Sequence, residues 1–372
     1  MKVMHVVGAR PNFMKVAPIM RAMEEYPDEF VQTLIHTGQH YDDNMSEVFF
    51  SDLELPRPDV NLGVGSGSHA WQTAQVMLRF DPVVADYQPD WVFLVGDVNS
   101  TLACALVGAK LGVKVAHIEA GLRSFDMTMP EEINRILTDQ ISDLLFTTEE
   151  SANQNLLRQG IAPERIHFVG NVMIDTLVRL LPKTENRSIL RKLGFMSDNA
   201  QVPVISHYML VTLHRPTNVD NSEALKETVA ALTEVSREVP VIFPVHPRTR
   251  QRIEAIGLQP TRASLRLLDP LGYLDFLALL RHAALVLTDS GGIQEETTFL
   301  GVPCLTVRPN TERPVTISHG TNRLVKSDRF SLIQASLDAL DSTSEQPLGR
   351  SIPKLWDGAA AKRIVQILAK QA

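Results

Sequence analysis

Short, largely apolar segments alternate with helix-like segments along nearly the whole chain. Trp91 to Val95, Tyr208 to Leu213 and Val241 to Val245 are apolar at successive positions rather than at every second one. Strands of this kind are buried on both faces, which is typical of parallel sheets covered by helices. The pattern predicts an α/β fold with doubly wound sheets. In such sheets ligands bind beyond the carboxyl ends of the strands, so the residues that follow each strand are the first candidates for a site.

The chain of 372 residues is long enough for about two domains. The periodicity is lost between 182 and 207, and strands alternate with helices again from Tyr208. We expect a Rossmann-like domain at 1–181 and a second Rossmann-like domain at 182–356. A helix at 357–372 is expected to pack back on the first domain. Two such domains would place their strand-end edges face to face across a cleft.

Composition excludes several classes of partner. The net charge of −7 argues against nucleic acid, whose phosphates require a basic face. No apolar run approaches the ~18 residues of a membrane span, and the N-terminal run is too short for a signal peptide. The two cysteines, Cys104 and Cys304, lie in apolar surroundings typical of reduced core thiols. We therefore expect a cytoplasmic protein without nucleic-acid or membrane partners.

A glycine turn in the second half predicts an anion site. The segment 283–287 is a strand, Ser290, Gly291 and Gly292 form the turn, and a helix follows until Gly301. Unpaired N–H groups and the dipole at a helix start favour phosphate, and glycines let it approach closely. Glu296, in the second turn, can accept hydrogen bonds from two sugar hydroxyls. The alternative is an ordinary turn capped by Ser290.

Ionisable residues follow the strands of the first half. Arg10 and Lys15 stand at the first strand–helix turn, where two cations suit an anionic ligand unless they are solvated surface charges. Asp97, Glu119 and Glu131 come at or after successive strand ends. Three carboxylates in one cleft repel one another unless some are protonated or paired with cations. Such clusters have raised pKa values and perform acid/base chemistry.

Several other polar residues have more than one interpretation. Glu131 and Arg135 are four residues apart and can pair on one helical face, so a surface salt bridge is the default. Their position one strand-end loop after Glu119 is the argument for a location in the cleft instead. His214 ends a strand and could hold or protonate a phosphate leaving group. Arg313 could reach the same ligand or pair with Glu296. No metal site is expected, since the His-x-Glu at 117–119 lacks the second cysteine of a zinc deaminase.

Eight motifs follow one another along the chain: Gly8-Ala9-Arg10-Pro11, Gly38-Gln39-His40-Tyr41, Gly96-Asp97, His117 to Arg123, Pro130 to Arg135, His214-Arg215, Thr288 to Glu296 and Thr311-Glu312-Arg313-Pro314. Together they resemble the motifs of the non-hydrolysing UDP-N-acetylglucosamine 2-epimerase family. Each motif alone is weak, but the set covers nearly the whole chain. The resemblance implies a glycosyltransferase-B-like fold, a cytoplasmic homodimer, and interconversion of UDP-GlcNAc and UDP-ManNAc for surface polysaccharides.

The resemblance also implies a mechanism and residue roles. UDP is eliminated with loss of the C2 proton to give a 2-acetamidoglucal, and UDP adds back after protonation of the other face, without NAD or metal. The implied acid/base residues are Asp97, Glu119 and Glu131, with His214 assisting the diphosphate. The implied substrate-binding residues are Arg10, Lys15, Arg135, Leu271, Phe276, Ser290, Gly291, Gly292, Glu296 and Arg313. Phe276 would flank the uracil, and Leu271 would contact it through its backbone.

The sequence departs from the family pattern in two places. Asn12 stands where many members have glutamate, and Pro216-Thr217-Asn218 replaces the commoner Arg-Glu-Asn after His214-Arg215. The second change puts allosteric regulation by UDP-GlcNAc in doubt. Three alternatives stay open: an epimerase of a modified sugar such as a diacetamido-uronic acid, a glycosyltransferase of the same fold, and a catalytically silent UDP-sugar-binding regulator.

Overall fold

The computed structural model describes residues 1–39, 52–196, 207–256, 264–342 and 351–371. The side chains of Arg10 and Ser342 and the motif residues His40 and Tyr41 lie outside this part. A helix is also predicted at 43–53, of which only the last two residues are described. The chain divides into two compact units, Met1–Arg179 with Lys354–Ala372, and Leu180–Pro353. No helix within the described ranges is long and apolar enough to cross a membrane.

The first unit is built on a seven-stranded parallel sheet with the order β3-β2-β1-β4-β5-β6-β7. Its strands are β1 Lys2–Val7, β2 Val31–His36, β3 Val60–Asn61, β4 Trp91–Val95, β5 Lys114–Ala120, β6 Leu144–Thr147 and β7 Ile166–Phe168. β4 is buried at every residue, as its unbroken apolar sequence predicts. The strand order reverses between β1 and β4, so the crevice that binds ligands in such sheets opens at their carboxyl ends.

Helices cover both faces of the first sheet. They are α1 Arg10–Glu24, α2 His69–Tyr87, α3 Asn99–Lys110, α4 Pro130–Ile141, α5 Glu150–Arg158 and α6 Val172–Leu180, with a 3-10 turn at Pro163–Arg165. A second 3-10 turn, Leu181–Thr184, follows α6 and belongs to the second unit. A last helix, α15 Ala360–Ala369, belongs to this unit and packs on α1. Just before α15, the buried Trp356 donates its Nε1–H to the Thr148 carbonyl, 2.9 Å away. This contact fixes the returning chain on the carboxyl side of β6.

The second unit carries a six-stranded parallel sheet in the order β10-β9-β8-β11-β12-β13. Its strands are β8 Met209–Thr212, β9 Val241–Pro244, β10 Leu265–Leu268, β11 Leu285–Thr288, β12 Cys304–Val307 and β13 Asn322–Val325. Its helices are α7 Ile189–Lys192, α8 Pro216–Val219, α9 Ser222–Val235, α10 Pro247–Ala255, α11 Tyr273–His282, α12 Gly291–Leu300, α13 Val315–Ser318 and α14 Arg329–Ser342. Here the order reverses between β8 and β11, which marks the second ligand crevice.

Each sheet supplies its own hydrophobic core. In the first unit Val92 and Leu94 of β4 pack with Phe80 of α2, and all three are buried. In the second unit Val211 of β8 and Leu287 of β11 lie in one cluster with Leu232 of α9. The predicted α/β class with two doubly wound parallel sheets is confirmed. The two cores give each crevice a rigid base.

Candidate active site

Asp97 lies at the first crevice, directly after β4, and Gly96 gives it that position. Gly96 has a φ of +73°, a left-handed conformation that glycine adopts without strain. A Cβ on Gly96 would lie 3.2 Å from the Asn12 amide nitrogen and 3.4 Å from the Lys15 ammonium. Glycine is therefore required here by both backbone conformation and space. The Asp97 side chain keeps 27% exposure, so it is open to a ligand.

Arg135 links Asp97 to a second carboxylate. Its Nη1 donates to Asp97 Oδ2 at 2.6 Å, and its Nη2 donates to Glu132 Oε2 at 2.6 Å. Only 2% of Arg135 is exposed, so the expectation of a surface salt bridge between Glu131 and Arg135 is wrong. The reason is that α4 turns Arg135 inward, toward Glu132 and the β4 turn. Arg135 therefore orients the Asp97 carboxylate and compensates its negative charge.

Glu132 anchors this arrangement although the sequence interpretation did not single it out. It accepts hydrogen bonds from the Ser124 backbone N–H at 2.8 Å and the Phe125 N–H at 3.1 Å. Burial opposes ionisation, but Arg135 and Ser124 outweigh it, and the pKa of Glu132 lies below its ordinary value. Glu132 is thus a fixed anion that holds Arg135. In the sequence, the feature that could have pointed to Glu132 is its position directly after Glu131, a predicted site residue.

Glu119 is held by the ammonium of Lys15, and both side chains are buried. Glu119 has a φ of +72°, and the pairing of β5 with β6 shifts register between Ile118 and Ala120. The residue is therefore a bulge in β5, and such strained residues cluster at active sites. Lys15 was expected to bind a substrate anion, and here its charge also compensates a buried carboxylate.

The turn that carries Asp97 is also fixed from below by His117. This fully buried ring contacts the Gly96 carbonyl through Nε2 at 2.8 Å and Asp139 through Nδ1 at 2.6 Å. Burial opposes the charge of Asp139, but His117 and Arg123 outweigh it and hold the pKa of Asp139 below its usual value. His117 thus supports the Gly96–Asp97 turn. Sequence reasoning missed Asp139 because it is 22 residues away on α4.

Two further side chains, Glu131 and Asn12, lie at the first crevice. Glu131 is half-buried in the first turn of α4, next to the Arg135 cluster. Asn12 accepts from the N–H groups of Gly8 and Ala9 at 3.1 and 2.9 Å, and donates to the Val95 carbonyl at 3.0 Å. A glutamate at position 12 could not make that last donation. Asn12 thus ties the start of α1, where Arg10 lies, to the end of β4.

The glycine turn of the second unit has the predicted geometry. β11 ends at Thr288, α12 begins at Gly291 and ends before Gly301, whose φ is +68°. Ser290 is the N-cap residue, but its side chain makes no capping hydrogen bond. The hydroxyl is therefore not used by the helix, and the half-buried Gly291 and Gly292 supply the first helical N–H groups. An anion at this turn would meet those groups and the dipole.

Arg313 lies against the start of α12. A Cβ on Gly291 would come within 2.4 Å of the Arg313 guanidinium, so a larger residue there would displace the Arg313 side chain. Arg313 Nε donates to Glu295 Oε1 at 2.8 Å, and its Nη1 bonds Glu312. The predicted pairing with Glu296 is wrong, because the side chain of the neighbouring Glu295 faces Arg313. The guanidinium still borders the turn that an anion would occupy.

Glu296 is buried with 3% exposure and accepts a hydrogen bond from the Tyr273 hydroxyl at 2.8 Å. Burial raises the pKa of Glu296 to about 7, against the effect of Tyr273 and with that of the neighbouring Glu295. A carboxylate so placed gains strongly from further hydrogen-bond donors, such as sugar hydroxyls. Tyr273 was not predicted to take part in the site.

His214 lies at the second crevice, after β8, and Asp289 orients it. Asp289 accepts from the backbone N–H groups of His214 and Arg215 and from the Asn218 amide, at 2.9–3.2 Å. The His214 Nδ1 lies 3.0 Å from Asp289 Oδ1, which turns Nε2 outward on a ring that is 61% exposed. Burial of Asp289 opposes ionisation, but these donors keep its pKa low. With its Nδ1–H directed to Asp289, His214 presents Nε2 to the crevice, and Nε2 donates to an anion when the ring carries both protons.

The residues that the family resemblance implies at the uracil site lie at the start of α11. Leu271 and Phe276 are both half-buried, and the Phe276 N–H donates to the Gly272 carbonyl at 3.0 Å. Both belong to the second unit, as do Ser290 and Glu296. The second unit thus holds the predicted nucleotide residues, and the first unit holds the predicted acid/base residues.

Comparisons with known proteins extend over both units. A family model described as UDP-N-acetylglucosamine 2-epimerase matches residues 21–369. The UDP-N-acetylglucosamine 2-epimerase of Methanocaldococcus jannaschii is 42% identical over 375 residues, which cover 99% of each chain. The UDP-2,3-diacetamido-2,3-dideoxy-D-glucuronate 2-epimerase of Pseudomonas aeruginosa is 40% identical over 374 residues, with 100% of each chain covered.

A solved structure gives the same result. The crystal structure of the M. jannaschii UDP-GlcNAc 2-epimerase in complex with UDP-GlcNAc and UDP has a TM-score of 0.89 to this chain at 41% identity. The match covers 100% of both chains. The predicted glycosyltransferase-B-like fold class is thereby confirmed.

Proposed function

Because the chain belongs to the UDP-N-acetylglucosamine 2-epimerase family, we propose that it interconverts UDP-N-acetylglucosamine and UDP-N-acetylmannosamine. The reaction inverts carbon 2 of the sugar, so the enzyme is an isomerase. The M. jannaschii relative, whose crystal structure contains UDP-GlcNAc and UDP, supports this class of substrate. The product would enter the synthesis of surface polysaccharides.

Inversion at C2 proceeds by elimination and re-addition. A carboxylate removes the C2 proton, the electrons of the C–H bond form the C1–C2 double bond, and the C1–O electron pair leaves with UDP. The products are UDP and 2-acetamidoglucal. A carboxyl group then protonates the other face of C2, and a UDP oxygen bonds to C1. No electrons are gained or lost overall, so the proposal includes no redox cofactor.

The observation that carries the proposal is that the first crevice contains carboxylates paired with cations, whereas the second contains groups that bind an anion. In the first, Asp97 and Glu119 each contact a buried cation, Arg135 and Lys15 respectively. Paired in this way, neighbouring carboxylates can stay ionised and accept a proton from carbon. Asp97, Glu119 and Glu131 are the proposed proton-transfer residues, and the base for the C2 proton is one of the three.

The second crevice is proposed to hold the leaving group. The N–H groups of Gly291 and Gly292, with the Ser290 hydroxyl and Arg313, would bind the diphosphate. His214, as the imidazolium held by Asp289 at Nδ1, would donate from Nε2 to the departing phosphate oxygen and so stabilise its charge. Glu296 would accept from the ribose hydroxyls, and Phe276 and the Leu271 backbone would contact the uracil. Arg10 and Lys15 would contribute positive charge on the side of the sugar.

Solvent exchange at C2 tests the proposal directly. The purified protein is incubated with UDP-GlcNAc in heavy water and followed by proton NMR. We expect deuterium at C2, appearance of the manno epimer, and traces of free UDP and 2-acetamidoglucal. The proposal would be abandoned if no UDP-N-acetylhexosamine exchanged its C2 proton.

Substitution of Asp97 tests the assignment of proton transfer. Asp97→Asn keeps the shape of the side chain and removes its basicity. If Asp97 transfers a proton, turnover is expected to fall by at least ~2 orders of magnitude. The control is Asp143→Asn. The Asp143 carboxylate accepts from the Val115 N–H at the amino end of β5, away from the crevice. Equal losses in the two variants would contradict the role of Asp97.

A modified sugar is the second candidate substrate. The diacetamido-glucuronate epimerase of P. aeruginosa is 40% identical, nearly as similar as the M. jannaschii enzyme. The same exchange experiment distinguishes the two substrates. Exchange with a UDP-diacetamido-uronic acid and not with UDP-GlcNAc would move the proposal to that substrate.

We further propose a cytoplasmic homodimer. Ile133 and Leu137 lie one turn apart on α4 and are 40% and 45% exposed, and Phe125 and Met127 precede that helix with higher exposure. Exposed apolar side chains near one another mark protein interfaces. Light scattering coupled to gel filtration is expected to give twice the 41.3 kDa chain mass. A chain that stays monomeric at micromolar concentration would contradict the dimer.

A further inference from the structure

The hydroxyl of Tyr273 makes a buried contact with Glu296 that the reaction chemistry does not require. Tyr273 is the first residue of α11, and Glu296 lies in the second turn of α12. Tyr273 is 6% exposed and Glu296 3%, and the hydroxyl oxygen is 2.8 Å from Oε1. Two helices are thus joined by one hydrogen bond at a site that water reaches poorly.

The bond restricts what the carboxylate can do. With Oε1 accepting from Tyr273, Oε2 is the oxygen that remains for a ribose hydroxyl. Glu296 has Glu295 as its sequence neighbour, and the charge of Glu295 is directed to Arg313 at 2.8 Å. Among the described side chains, Tyr273 is the group that donates to Glu296. The phenol favours the ionised carboxylate, since a hydrogen bond to the charged form stabilises it.

We propose that Tyr273 is a positioning residue that holds Glu296 for the ribose hydroxyls and so sets the preference for ribonucleotide over 2′-deoxyribonucleotide sugars. This inference rests on the proposed function through the nucleotide site. Without the phenol, Glu296 can rotate or take up a proton. A protonated carboxyl accepts hydrogen bonds poorly, so the energy gained from the ribose hydroxyls would fall.

The test compares Tyr273→Phe with the matched variant Tyr208→Phe. Tyr208 is also buried in the second unit, and its hydroxyl donates to the Leu279 carbonyl at 2.5 Å. Tyr273→Phe is expected to raise KM for UDP-GlcNAc about tenfold and to leave kcat within about twofold, because the ribose hydroxyls would meet an acceptor that is no longer held in place and ionised. Tyr208→Phe is expected to leave KM unchanged.

Nucleotide binding gives a readout that does not depend on catalysis. Calorimetry with UDP and 2′-deoxy-UDP measures the preference for ribose in the wild type and in each variant. We expect Tyr273→Phe to reduce that preference about tenfold and Glu296→Gln to reduce it at least as far. In the Glu296→Gln background, Tyr273→Phe should add nothing, because both substitutions remove the same interaction.

Each outcome bears on the inference. An unchanged KM and ribose preference in Tyr273→Phe, or additive effects in the double variant, would overturn it, as would a loss of kcat with normal KM. Tyr273→Met fills the same space with a flexible apolar side chain and repeats the test if the phenylalanine variant does not fold. If UDP binding shifts as expected while no C2 exchange occurs, the inference stands and the proposed function fails.

Discussion

One of the residues with a strained backbone is Glu119, which the proposed reaction uses. Glu119 has a φ of +72°, a region that non-glycine residues adopt at a cost of about 1–3 kcal/mol. The bulge turns Glu119 out of the β5–β6 pairing, and Lys15 holds its carboxylate. The fold thus loses stability at this position to aim a functional group.

Replacing Glu119 by glycine and by alanine isolates that strain. Both substitutions remove the carboxylate, so both lose the contact with Lys15. Glycine in place of alanine normally costs about 0.5–1 kcal/mol. At position 119 we expect the reverse, with Glu119→Gly more stable than Glu119→Ala by about 1 kcal/mol, because only glycine is unstrained at this φ. The measurement is the free energy of unfolding in urea.

Glu131 provides the control for this comparison. It lies in α4 with ordinary helical backbone, so Glu131→Gly should be the less stable of its pair. If alanine is more stable than glycine at both positions, the left-handed backbone of Glu119 stores no strain.

The pKa of Glu296 predicts how nucleotide binding depends on pH. Burial raises it to about 7, so the carboxyl is largely protonated below that pH in the free protein. The ionised form is the one that accepts ribose hydroxyls. Affinity for UDP is therefore expected to fall as pH drops below about 7, by up to about tenfold per pH unit. A Glu296→Gln variant should lack this component, and an unchanged slope in that variant would assign the titration to another group.

The sequence identified residues that follow strands or glycines and missed those that hold them. Asp97, Glu119 and Ser290 were predictable because the carboxyl ends of parallel strands meet at one edge. Glu132, Asp139 and Tyr273 hold other site residues through side-chain hydrogen bonds. Glu132 bonds Arg135 three residues away, whereas the partners of Asp139 and Tyr273 are 22 and 23 residues away in the chain. The default pairing of Glu131 with Arg135 failed because helical spacing alone does not say which face is buried.

At the scale of elements, the start of the last helix, α15, is capped by a side chain from another helix. The N-cap of α15 is Ala359, which has no side-chain acceptor. Asp175 of α6 supplies it, accepting from the N–H groups of Ala360 and Ala361 at 3.1 and 2.7 Å. A distant side chain thus satisfies the donors that a helix start leaves unpaired.

Removing this acceptor is expected to loosen α15. Asp175→Ala leaves two buried N–H groups without their partner and should lower the free energy of unfolding by about 1–2 kcal/mol. Asp175→Asn keeps one acceptor oxygen and should cost less. The two are compared by urea unfolding, and by hydrogen exchange of the α15 amides. Equal stability of the alanine variant and the wild type would show that the cap contributes nothing.

Most elements were predictable, and the exceptions have identifiable causes. α12 ends at Gly301 and β4 spans 91–95, as their sequences predict. Among the elements that the sequence interpretation did not identify are β13, Asn322–Val325, which is short and polar at its start, and α10, Pro247–Ala255, whose arginines hide its period. β13 is fixed by its pairing with β12 rather than by local preference. α10 begins at Pro247 and is capped by His246, which accepts from the Arg248 N–H.

At the scale of the molecule, two sheets of the same winding occur in one chain. The orders 3-2-1-4-5-6-7 and 3-2-1-4-5-6, counted within each unit, both reverse beside the first strand. The candidate residues follow the strands at these reversals: Asp97 after β4 in the first, His214 and Ser290 after β8 and β11 in the second. Alternation in the sequence predicts the sheets but not the order of their strands, since order depends on contacts across each sheet.

The route of the chain has a consequence for biosynthesis. The first unit is interrupted after Arg179 and resumes at Lys354, with the whole of the second unit encoded between. A ribosome therefore completes the second sheet before it has made Trp356 and α15, which close over Thr148 and α1. Until then the first sheet lacks part of its cover, and its apolar surface is available to chaperones. The carboxylates are synthesised early, but the unit that carries them is finished last.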